Sequence, residues 1–101
     1  MSSTTKFSKL KSYEISTFCR QMSLMLRAGI APADGIDILE QDTNDAAAKK
    51  LLGSISHVLH SGEKFHVALN MSEAFPDYVI HMVTIGEESG NMDTVMESLA
   101  D

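Results

Sequence analysis

The residues best placed to do chemistry lie between Gly86 and Asp93. Glu87, Glu88, Asn91 and Asp93 offer oxygen donors within seven residues, a set of hard ligands suited to a divalent cation such as calcium. Elsewhere, Asp34 to Asp45 contains several acids but lacks the alternation, central Gly and later Glu of a calcium loop. His57 and His60 stand at i, i+3, a spacing that presents two imidazoles to one metal, although His66, His81 or Cys19 would have to complete the site from other helices. Cys19 sits among Ile15, Phe18 and Met22 and reads as a small core residue rather than a nucleophile. No nucleophile elbow, phosphate-cradling glycine loop or HExxH motif occurs, and no catalytic residue is assigned.

The acidic turn is also the one segment that helical periodicity leaves unexplained. Gly90 alone would close a helix through positive φ, and Asn91 is well placed to cap the next helix, with Asp93 in its first turn. Glu87 and Glu88, however, fall in the last turn of a helix, where the negative end of the dipole disfavours anions. Charges set against their local preference point to a use outside their own helix.

Six helices must position these residues. The first runs from about Tyr13 to Ala28, with Ser12 as its cap and Ile15, Phe18, Cys19, Met22, Met25 and Leu26 on one face. Gly29 closes it. The second opens at Pro32 and turns Ile36 and Leu39 inward and Asp34, Asp37 and Glu40 to water; Gly35 inside it implies close approach of another helix. After a polar turn over 41–44, a third helix spans about Asp45 to Ser61 with Leu51, Leu52, Ile55, Val58 and Leu59 as its buried stripe. A short fourth helix covers about Lys64 to Asn70, followed by a linker in which Phe75 plugs the core. The fifth helix turns Val79, Met82, Val83 and Gly86 to one side, and the sixth repeats the pattern from Met92 with Val95, Met96 and Leu99. No segment alternates with period two for long enough to form a strand, so the fold class is all-α.

Composition agrees with packed helices. Seven Met, six aromatics and no Trp describe a core of aliphatic and thioether side chains. The 101 residues suffice for one domain over 12–101, preceded by a flexible leader over 1–11 whose Lys6, Lys9 and Lys11 are too sparse for a membrane anchor. The net charge of -6 is concentrated toward the end, with seven acids and no Lys or Arg from Glu73 to Asp101; nucleic acid is therefore not an expected partner. A single Cys and no secretion leader suit the cytoplasm, and no apolar run approaches the roughly 18 residues of a membrane span. The chain ends inside a helical pattern at Leu99-Ala100-Asp101, as a piece of a longer protein would.

The order of several motifs resembles one family. Phe18-Cys19-Arg20-Gln21 leading through an apolar helix to Ala28-Gly29 is similar to the opening of the type II secretion system F domain. Gly62 to Leu69 resembles its Gly-x-x-hydrophobic-x-x-Ala-Leu segment, Phe75-Pro76 its Phe-Pro step, and Gly86 to Asp93 its Gly-Glu-x-Ser-Gly-x-Leu-Asp signature. The likeness extends over about Ser12 to Ala100, with departures at Gly35, His66 and Met92.

This resemblance implies an antiparallel six-helix bundle on the cytoplasmic side of an integral platform protein of the inner membrane. The platform serves type II secretion, type IV pilus or competence machines. It implies a non-catalytic scaffold that contacts the assembly ATPase and other inner-membrane components, with membrane spans in parts of the parent protein absent from this chain. On that reading Gly86, Glu87, Glu88, Ser89, Gly90 and Asp93 are expected to form an interaction motif, its acidic turn at Glu87 and Glu88 meeting basic side chains or a cation that bridges two copies in a homodimer. The alternative is a free-standing regulatory or calcium-responsive helical module.

Overall fold

The computed structural model describes residues 7–101, and every element among them is helical. The order is α1 (Ser12–Arg27), α2 (Pro32–Asp42), α3 (Ala46–His60), α4 (Phe65–Ser72), α5 (Asp77–Ser89) and α6 (Met92–Ala100). The predicted all-α class and its six helices are thus observed.

Cross-helix contacts show that the packed neighbours run antiparallel. Along α1, Ser16 and Arg20 donate to the Ala100 carbonyl while Arg27 pairs with Asp93 and Glu97, so α1 and α6 run in opposite directions. Between α2 and α3, Asp37 meets Ser56 and His60 whereas the Glu40 carbonyl accepts from Lys49, which gives the same sense. Short turns allow this arrangement, and each has a local cause. Gly29 and Gly90 adopt φ of 85° and 77°, and Asp45 caps α3 by accepting from the Ala48 N–H at 2.8 Å. Pro32 opens α2, where its missing N–H costs nothing.

The core joins all six helices. Ile15, Phe18, Cys19 and Met22 of α1 meet Ile36, Leu39, Leu51, Leu52 and Ile55 of the α2–α3 hairpin and Phe65, Leu69, Val79, Val83 and Met96 beyond. Phe75 plugs the core as expected, 2% exposed, with its ring centroid 5.2 Å from that of Phe18. At Gly35 an added Cβ would lie 3.3 Å from Met22 Cε, which is the close approach its glycine implies.

Several local expectations are corrected. Lys11, not Ser12, occupies the cap of α1, and its N–H donates to Glu14 Oε1 at 2.8 Å. Asn91 occupies the cap position of α6, but its side chain makes no capping bond. Helix α2 continues to Asp42, so the turn falls at 43–45. Met82 points outward at 36% exposure, because α5 is only one flank of the bundle and its inward row is Val79, Val83 and Gly86. Of the leader over 1–11, residues 1–6, Lys6 included, lie outside the described residues. Residues 7–11 form a strap: Phe7 and Leu10 pack against the core, Leu10 N–H donates to the Ala74 carbonyl at 2.9 Å, and Lys9 Nζ reaches the Phe75 carbonyl at 3.4 Å.

Candidate functional site

The turn from Gly86 to Asp93 is built from the close packing of α5 on α6. A Cβ added at Gly86 would stand 2.8 Å from Val95 Cγ2 and 3.3 Å from Met92 Cα, so only glycine lets the two helices approach this closely. The Gly86 carbonyl then accepts from the N–H groups of Gly90 and Asn91, closing the end of α5 with Gly90 in the left-handed region.

Glu87 turns inward. Its Oε2 accepts from the Phe65 N–H at 2.9 Å, and its Oε1 accepts from the His66 N–H at 3.0 Å and lies 2.6 Å from His66 Nδ1. Phe65 and His66 are the first two residues of α4, whose own cap residue, Lys64, has no capping side chain. A carboxylate disfavoured by the end of its own helix thus sits at the positive end of another. Burial pushes the Glu87 pKa up, but the hydrogen bonds from His66 and Phe65 outweigh it and hold the carboxyl below the usual range.

The remaining motif residues diverge. Asp93 Oδ2 lies 3.8 Å from Arg27 Nε, and Arg27 also pairs with Glu97. Glu88, Ser89, Gly90 and Asn91 are exposed. Beside them is a shallow hollow of about 240 Å³ lined by Leu26, Gly86, Glu87, Gly90, Met92 and Asp93. Of the four oxygen donors expected for a divalent cation, Glu87 therefore faces a helix end, Glu88 and Asn91 face solvent, and Asp93 faces an arginine. Among the described residues, no three or more His, Cys, Asp or Glu side chains are grouped to hold a metal.

The histidines are likewise dispersed. His60 Nε2 lies 2.9 Å from Asp37 Oδ2, while Ser56 Oγ donates to Asp37 Oδ1 at 2.5 Å. Asp37, expected to face water, is thus half-buried between two residues of α3. The hydrogen bond from Ser56, followed by that from His60, holds its carboxyl below the usual range. The carboxylate separates hydroxyl from imidazole, so His60 is not placed to take the Ser56 proton and the trio fastens α2 to α3. Sequence reading missed this trio, the Arg27 pairs and the grip of Ser16 and Arg20 on Ala100; only the i, i+4 spacing of Ser56 and His60 hinted at any of them. Cys19 is buried as expected, and burial pushes its thiol up to about 11.

An all-helical bundle whose signature turn locks α4, α5 and α6 together defines a helical packing domain. Residues 18–101 match the family described as type II secretion system (T2SS), protein F, and the chain belongs to that family. It is 29% identical over 87 residues to the type IV pilus assembly protein PilC of Thermus thermophilus, covering 86% of this chain and 21% of that protein. To the type II secretion system protein F of Aeromonas hydrophila it is 26% identical over 84 residues, 83% of this chain and 22% of the relative. The protein transport protein HofC homolog of Escherichia coli K12 is 32% identical over 81 residues, 79% of this chain and 20% of the relative. The chain thus spans about a fifth of the length of these relatives. Among the described residues, no helix is long and apolar enough to cross a membrane.

Proposed function

We propose that the chain is a non-catalytic scaffold domain of the platform protein in a type II secretion or type IV pilus assembly machine. It sits at the cytoplasmic face of the inner membrane, held there by parts of the protein outside this chain, and meets the assembly ATPase and inner-membrane components. The observation that carries this reading is the family match over residues 18–101, together with relatives named for pilus assembly and type II secretion. The geometry favours contact over chemistry. Glu87, Asp37 and Asp93 are engaged in fastening helices, and Cys19 is shielded. In this reading Gly86, Glu87 and Asp93 keep the turn in shape, and Glu88, Ser89, Gly90 and Asn91 present it to a partner.

The test replaces residues 12–101 of the encoded protein with an unrelated helical bundle of similar size. Pilus assembly or secretion should be lost, and the ATPase should no longer co-purify, while the rest of the protein accumulates normally. Undiminished assembly would remove the scaffold role.

A further inference from the structure

Beside its buried row of Val79, Val83 and Gly86, α5 carries a second apolar stripe. Tyr78, Met82 and Ile85 recur at i, i+4 and i+7 and stand 58%, 36% and 48% exposed. Side chains at this spacing are neighbours on a helix, so the three form one patch on the order of 300 Å², a size at which a monomer's largest apolar patch is often functional. Asp77, His81 and Glu88 are exposed on the adjoining row of the same helix. Between Glu73 and Asp101 the chain holds seven acids and no Lys or Arg, so α5 itself contributes no Lys or Arg beside the stripe.

We infer that this face of α5 docks an amphipathic helix of a partner protein, one whose apolar i, i+4, i+7 row is flanked by Lys or Arg. The apolar rows bury each other, and the partner's cations meet Asp77 and Glu88. A second copy of this chain fits poorly, because a two-fold contact through the stripe brings the same acids toward their own copies. An anionic lipid surface is repelled by those acids. The patch is well below the roughly 800 Å² per partner of a stable complex, so the contact forms and releases readily. The inference deepens the scaffold reading and rests on it for its cellular setting.

The test titrates the chain with two synthetic helical peptides that share one leucine row, one flanked by lysines and the other by glutamates, while backbone amide shifts are followed. The lysine peptide should shift resonances along α5. Its affinity should fall by about tenfold in Tyr78→Ser or Ile85→Ser, by several-fold in Glu88→Gln, and by about tenfold or more for the glutamate peptide. Circular dichroism of each variant confirms that the helices are intact. Equal binding of both peptides overturns the inference. So do shifts centred on helices other than α5, a self-dimer that Ile85→Ser dissolves, or tighter binding to anionic vesicles than to the lysine peptide. In cells, Ile85→Ser with assembly and secretion at full level overturns this surface and leaves the scaffold role standing; only the domain replacement decides that role.

Discussion

Glu87, in the last turn of α5, accepts the N–H of Phe65, the first residue of α4, at 2.9 Å. The carboxylate therefore does for α4 what an N-cap residue does for its own helix, across 22 positions of sequence. Replacing it with Gln keeps the shape but leaves one acceptor oxygen where two are used, and turns an NH2 group toward a helix N-terminus. Glu87→Gln should destabilise the domain by about 1–2 kcal/mol, measured by urea denaturation, with helical content nearly unchanged in the absence of urea.

Acidification should act through the same carboxyl. Glu87 and Asp37 both titrate below their usual range in the folded chain. A depressed folded pKa means that the unfolded chain takes up protons first as pH falls. The stabilisation is complete above the ordinary carboxylate range and is lost as pH drops through the folded values. Thermal melts from neutral to acidic pH should show falling stability below that range, and Glu87→Gln should flatten part of the decline. A slope unchanged by the substitution would show that this carboxyl is not responsible.

The two helical glycines should respond differently to alanine. A Cβ at Gly35 meets the movable end of Met22 at 3.3 Å, and the gain in helix propensity of about 1 kcal/mol offsets the small rearrangement, leaving Gly35→Ala near neutral. A Cβ at Gly86 meets the branched Val95 side chain at 2.8 Å and Met92 Cα at 3.3 Å, neither of which can withdraw without moving α6. Gly86→Ala should cost about 1–3 kcal/mol in chemical denaturation, and adding Val95→Ala should recover part of it.

Cys19 offers a reporter of opening. Fully buried and with its thiol pushed up to about 11, it should react with a thiol reagent at neutral pH only when the bundle opens. Labelling rates should therefore rise with urea in step with unfolding. Rapid labelling in native buffer would contradict the burial of α1 against the core.

The helices were legible in the sequence because their causes are local. The apolar spacing of α1 and α3, Pro32 at the start of α2 and Gly90 at the end of α5 all act within a few residues. The acidic turn was legible as an anomaly but not in its resolution. That Glu87 was set against its own helix could be read from position alone, whereas its partners at Phe65 and His66 exist only once α4 lies alongside α5. Helix caps slipped by a residue at Ser12 for a related reason, since Glu14 satisfies the Lys11 N–H and draws the start earlier. The outward turn of Met82 depended on which sides of α5 are covered by α4 and α6, and periodicity does not reveal how much of a helix its neighbours wrap.

The grip of Ser16 and Arg20 on the Ala100 carbonyl brings the beginning of the first helix beside the end of the last. The first and last helices are thereby tied to each other, while the strap over residues 7–11 is fastened separately to Ala74 and Phe75. Loosening the end of α6 would therefore release Ser16 and Arg20 together, one helix turn apart on α1.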